Sequence, residues 1–215
     1  MKKAAASLAF LCLLLSAALA GGVLKKTKSS VEVAYVPRHG DIVFQSLPHN
    51  PIIDAIEGCT ASPYSHCGIV IKRSGEWLVL EAIGPVQETP LRRWVLQGRN
   101  WEFAVYRLKP DYQPKINSMI DAAREFKGRP YDIQYEFDDA KIYCSELIFK
   151  GFKKATGESL GITQKLGELN WRPFEPVIRQ ISGGVPLERQ MITPQSMSLA
   201  RQLDRVLPFG NYLIK

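Results

Sequence analysis

SHCGIVIKRSGEWLVLEAI, residues 65 to 83, reads as two strands folded on a turn. Ser65 to Lys72 and Glu76 to Ile83 are rich in apolar and β-branched residues, and Arg73-Ser74-Gly75 between them is a turn signal. If Arg73 faces Glu76 across a two-residue Ser74-Gly75 loop, cross-strand partners carry numbers that sum to 149. One face then collects Cys67, Ile69, Ile71, Leu78, Leu80 and Ala82, all apolar. The other carries His66, Gly68, Val70, Val79 and Glu81. A slip of one residue would mix the two sets, so the clean apolar face argues for this register. In it His66 faces Ile83, and Glu81 is its diagonal neighbour at roughly 7–8 Å between backbone positions, within reach of a long side chain.

Outward from the hairpin, Asp41 to Gln45 reads as a strand before it, and polar and turn-forming residues at 46–64 read as loop. WEFAVYRL, 101–108, is a further strand with Trp101, Phe103 and Val105 on one face; PLRRWVLQG before it is a short helix or a crossover loop. The second half changes period. Ile116, Met119, Ile120 and Ala123 fall at helical spacing, with Gly128 and Pro130 as the stop. From Cys144, the residues Leu147, Ile148, Gly151, Phe152 and Ala155 follow the i, i+3, i+4, i+7 rule, while Glu146, Lys150, Lys153 and Lys154 lie elsewhere and Gly157 ends the helix. Cys144 therefore begins the buried stripe. Residues 160–190 read as loop-rich and 194–206 as a last helix. Strands first and helices later indicate an α+β domain.

Lys2 and Lys3, an apolar run over residues 4–19 and Ala18-Leu19-Ala20 have the form of a signal peptide cut after Ala20, followed by a flexible lead-in at 21–34 and a single domain at 35–215. The run falls short of the roughly 20 residues a membrane span needs. Export, with a periplasmic destination, is the expectation. The whole chain has 28 basic and 21 acidic residues, and loss of two lysines with the leader lowers the net charge from +7 to +5. The bases are dispersed, which suits a solvated surface in an anionic envelope better than nucleic-acid binding. About 195 residues are enough for one domain with a proper core.

Cleavage leaves Cys59, Cys67 and Cys144, an odd number that signals an intermolecular bridge or a free reactive thiol. Cys59 and Cys67 are close enough in sequence to pair; Cys67 also reads as a buried strand residue. No C-x-x-C occurs, and His39, His49 and His66 lack ligand spacing, which argues against a zinc site. If the Cys144 helix packs on the His66 face of the hairpin, a thiol, an imidazole and a carboxylate meet in the arrangement of a thiol-nucleophile triad. A helix N-terminus and a neighbouring imidazolium both lower a thiol pKa. Each residue also has an ordinary reading: Cys144 as a small buried hydrophobe, His66 as a satisfied interior histidine, Glu81 as a strand-end carboxylate.

The ordered series GDIVFQ (40–45), YSHCGIVI (64–71), EAIGPVQETPLRRW (81–94), GRPYD (128–132), YCSELIF (143–149) and VPLERQMITPQSM (185–197) resembles the YiiX-like group of exported bacterial proteins, permuted members of the NlpC-type, papain-like cysteine hydrolases. The resemblance implies a small antiparallel barrel-like sheet packed on helices, with histidine preceding cysteine in the chain. Carried over by position, it implies Cys144 as nucleophile, His66 as base, Glu81 as the third polar member and Tyr131 as a substrate or oxyanion contact. Neither a metal nor a cofactor is expected. His39 and His49 match no functional position, and a Cys59–Cys67 disulfide would be peculiar to this chain. The reaction implied is cleavage of an amide or ester through a thioester, on a peptide, peptidoglycan or lipid-amide substrate, with at most a peripheral contact to the envelope. An acyltransferase with a non-water acceptor and a non-catalytic binding module are the rival readings.

Overall fold

The computed structural model describes residues 34–215; the expected leader and lead-in lie outside the described residues, save Ala34. The described residues form one compact unit. Its elements in order are β1 (Ala34–Tyr35), β2 (Ile42–Gln45), α1 (Pro51–Thr60), β3 (His66–Arg73), β4 (Glu76–Ala82), β5 (Val86–Pro90), α2 (Leu91–Gln97), β6 (Phe103–Leu108), α3 (Ile116–Arg124), α4 (Cys144–Thr156), β7 (Gln164–Lys165), α5 (Glu175–Ser182), β8 (Gln190–Met191), α6 (Pro194–Ser198), β9 (Leu203–Gly210) and β10 (Leu213–Ile214). Six strands build one antiparallel sheet in the order β5-β4-β3-β2-β6-β9, and the fold is α+β as expected.

The hairpin holds the expected register. Arg73 pairs with Glu76, Ile69 with Leu80 and Gly68 with Glu81. Its two faces feed two apolar clusters. Cys67, Ile69, Ile71, Leu80 and Ala82 join α3 and α4 on one side; Val70 and Val79 join Trp94 and Val95 of α2 on the other. The stripe of α4 therefore packs on the Cys67 face, not on the His66 face as expected. The reason is the pattern itself: an apolar helix stripe covers the wholly apolar strand face, and the face bearing His66 and Glu81 is covered by α2. Leu147, Ile148 and Phe152 are fully buried in that contact, each worth about 1.5–3 kcal/mol relative to exposure.

Helix α4 starts and ends where its pattern indicates, with Gly157 closing it in the left-handed conformation at φ 79°. Its approach to α3 depends on Gly151. A Cβ there would sit 2.7 Å from the Met119 carbonyl oxygen. Glu146, expected on the wet face, is fully buried at the third helical position and pairs with Lys150 at 2.6 Å. Its carboxylate also accepts from the Tyr143 backbone N–H, which fastens the start of the helix.

Other expectations are corrected. The 46–64 segment contains α1, capped by Asn50, whose side chain accepts from the Ile52 and Ile53 amides, with Pro51 at the first turn. Residues 160–190 contain α5. The supposed last helix stops at Ser198, and residues 203–210 form β9, the sheet edge where Pro208 is tolerated. Trp101 is exposed in a 3-10 turn rather than sharing the strand face of Phe103 and Val105. Cys59, Cys67 and Cys144 are all free thiols, so the Cys59–Cys67 bridge is not formed.

Candidate active site

His66 opens β3 at the level where the ladder to β4 is ending, Gly68–Glu81 being the last pair on that side. This leaves the imidazole room at the strand end to reach groups on both sides. His66 Nε2 and Glu81 Oε2 are 2.6 Å apart, and both residues are essentially buried. Thr89 Oγ1 on β5 donates to the other Glu81 oxygen at 2.5 Å. The indole of Trp94 lies 6.1 Å from the imidazole, centroid to centroid, and closes the pair off from water. Gly68 keeps this corner small, since a Cβ there would meet Val79 Cγ1 at 2.3 Å.

Cys144 comes to this corner from the opposite layer, at the first residue of α4. The side chain and backbone N–H of Cys67 and the His66 ring lie close enough to favour a thiolate at its sulfur. Those neighbours and the imidazolium charge hold its pKa well below the usual thiol value against the cost of burial. His66 moves the other way. Burial opposes its protonation, but the hydrogen bonds and charges of Cys144 and Glu81 raise it to about 9. Opposite shifts of two touching groups describe a thiolate–imidazolium pair. Burial, with the charge of Cys144, pushes Cys67 well above its ordinary value, so it remains a thiol and a donor.

The structure thus brings Cys144, His66 and Glu81 together. Tyr131 lines the same cavity as Cys144 and packs edge-on against Tyr135, with ring centroids 6.3 Å apart. Burial raises the pKa of both tyrosines, so their hydroxyls keep their protons. His39 bonds Asn117 and the Lys72 amide, and His49 bonds Asp54; both are remote structural histidines at the surface.

Sequence reasoning missed Thr89, Tyr135 and the position of Cys67 against the nucleophile. Thr89 became visible only with β5, a strand that alternation alone did not reveal. Tyr135 lies in an irregular segment at φ 56°. For Cys67 there was a signal: as an inward residue next to His66, it lies under whatever covers the apolar face.

A family model described as permuted papain-like amidase enzyme, YaeF/YiiX, C92 family, matches residues 36–207. The chain is 33% identical over 180 residues to the uncharacterized protein YiiX of Escherichia coli K12, covering 80% of this chain and 87% of that protein. A crystal structure of metalloprotein yiiX from Escherichia coli O157:H7 matches with a TM-score of 0.75 and 32% identity, over 80% of this chain and 97% of that one. Among the described residues here, no group of three or more His, Cys, Asp or Glu side chains is placed to hold a metal ion. No step below runs through a metal.

Proposed function

Because the chain belongs to the YaeF/YiiX family of permuted papain-like amidase enzymes, we propose that it is a thiol hydrolase in which Cys144 is the nucleophile, His66 the acid and base, and Glu81 the group that orients His66. The observation that carries this reading is the buried His66–Glu81 pair, 2.6 Å apart, beside the first residue of α4, with the His66 and Cys144 pKa values shifted in opposite directions. The Cys144 thiolate attacks the carbonyl carbon of an amide or ester. The oxyanion is met by the Cys144 backbone N–H, one of the unpaired donors at a helix start, and by a tyrosine hydroxyl from Tyr131 or Tyr135. As the tetrahedral intermediate collapses, the bond to the leaving nitrogen or oxygen breaks and His66 gives that atom its proton. In the second half His66 takes a proton from water, the hydroxide adds to the thioester, and the acid leaves as Cys144 returns to thiolate. Glu81 holds one ring nitrogen throughout, which leaves the other facing the sulfur.

The site is proposed to act outside the cytoplasm, since the residues ahead of the described unit have the form of a signal peptide. A mature protein from the periplasmic fraction should then begin at Gly21. An intact mass that retains residues 1–20 would count against export.

Mass spectrometry of the protein quenched in acid during turnover of an ester tests the chemistry. The expected product is a single acyl adduct on the Cys144 peptide, absent from Cys144→Ala, which should also lose turnover while keeping its melting temperature. Turnover by the alanine variant at the wild-type rate would sink the proposal.

A further inference from the structure

The two flanks of His66 are occupied differently. In the sheet β3 lies between β4 and β2. Glu81 on β4 holds Nε2 from one side. On the other side Gln45, the last residue of β2, is the direct cross-strand partner of His66, so its side chain stands on the same sheet face. Gln45 is fully buried, and neither its amide nitrogen nor its amide oxygen finds a hydrogen-bond partner among the described residues. Two groups on α2 share that condition. They are the indole N–H of Trp94, whose ring lies beside His66, and Gln97 Oε1 one turn further on. Gly98 brings the end of α2 down on the Gln45 amide, since a Cβ there would sit 2.6 Å from Oε1.

Buried polar groups without partners are rare, and a cluster that mixes donors and acceptors is where an interior water is held. The tight approach at Gly98 suits a molecule of that size. The chemistry calls for one as well. In the second half of the proposed reaction His66 draws a proton from a water that adds to the thioester, while Trp94 closes the imidazole off from solvent. His66, Gln45 and Trp94 are also absent from the lining of the cavity onto which Cys144 opens.

We infer that Gln45, with the Trp94 indole N–H, positions the water that hydrolyses the thioester. This rests on the thiol-hydrolase reading above and deepens it, because a held water directs the acyl group to hydrolysis rather than to another acceptor. The Gln45 amide oxygen accepts one O–H of the water, and the other O–H points to the ring nitrogen that Glu81 leaves free. The indole N–H donates to one lone pair of the water oxygen, and the second lone pair attacks the carbonyl carbon. As the C–O bond forms, His66 takes the proton. The S–C bond then breaks, its electrons return to Cys144, and the acid departs. Gln45 gains and loses no proton; it is a positioning residue.

Single turnovers with the whole purified protein in excess over p-nitrophenyl acetate separate the two halves. Release of p-nitrophenolate reads acylation of Cys144, and intact mass after acid quenching follows loss of the adduct. Gln45→Met keeps the length of the side chain without its hydrogen bonds. It should acylate at the wild-type rate and lose the adduct about 10²-fold more slowly. Gly98→Ala, which presses on the amide from α2, should slow the same step by less. Trp94→Phe, which removes only the second contact, should act in the same direction, with circular dichroism melting to confirm the fold of each variant. Added hydroxylamine needs no held water and should free the acyl group as hydroxamate at the wild-type rate from all three. Adduct loss from Gln45→Met at the wild-type rate would overturn the water site and leave the thiol mechanism standing. Equal slowing of acylation, hydrolysis and hydroxamate formation would also overturn it, as the mark of a displaced strand. A wild-type protein that forms no adduct on Cys144 would defeat the thiol-hydrolase reading itself, and this one with it.

Discussion

At His66 the protein balances burial against two partners, and the balance fixes a pH window. In the proposed mechanism the reactive ion pair exists between the depressed Cys144 value and the His66 value of about 9. As pH falls through the thiol value the thiolate is lost; as pH rises past about 9 the imidazolium proton is lost and with it the acid for the leaving group. The profile of kcat/KM for an amide substrate should therefore be bell-shaped with its alkaline limb near pH 9, and His66→Ala should lower the rate about 10²- to 10⁴-fold. Thr89→Val tests the outer bond to Glu81. It should reduce kcat far less than His66→Ala and move the alkaline limb, whereas a purely structural threonine would lower the melting temperature and leave that limb in place. Where Tyr131 gives its hydroxyl proton to Tyr135, the Tyr135 proton is the one left for an oxyanion. Tyr135→Phe should cost about 10²-fold in kcat if it serves the oxyanion, and Tyr131→Phe much less. The opposite order would hand the role back to the residue the sequence singled out.

At the scale of elements, α4 is the piece that carries the proposed nucleophile to the sheet, and Gly151 sets how closely it can approach α3. Gly151→Val would drive methyl groups into the Met119 carbonyl and Ala123. It should cost about 1–3 kcal/mol in urea unfolding, and it should also lower activity by displacing the helix start. Elements with strong periodicity and clear punctuation were legible from sequence: the hairpin register, α3, and α4 from Cys144 to Gly157. What failed was local pattern under tertiary control. Helix α1 has ordinary composition and is announced only by Asn50-Pro51, a signal submerged in a turn-like stretch. Its counterpart α5 sits among Gly and Pro, and its half-buried Val177, Ile178 and Ile181 line the cavity beside Cys144. Strand β9 has the mixed face of a sheet edge, and Leu203 to Val206 read equally well as helix. Asn50→Ala removes both cap bonds and should destabilise by about 1 kcal/mol.

Across the whole molecule, the sheet and the helical layer each hold part of the proposed machinery. His66, Glu81 and Thr89 come from the strands, Cys144 from the helix on the opposite face, and Tyr131, Tyr135 and α5 from segments between helices. The three proposed catalytic side chains came into view because the hairpin register put Glu81 diagonal to His66 and the helical stripe began at Cys144, and family resemblance then joined them. Their assembly was not legible in the same way, since alternation predicts a face and not which helix covers it. The cavity was invisible for a related reason: its walls come from elements far apart in the chain. The most direct test of the account is the rate of iodoacetamide alkylation at Cys144 as a function of pH, followed by peptide mapping so that Cys59 and Cys67 are scored separately. The account predicts rapid labelling at Cys144 well below pH 8 in the wild type, shifting upward toward an ordinary thiol near about 8.5 in His66→Ala. A wild-type Cys144 that reacts only as an ordinary thiol, with no change on removal of His66, would contradict it.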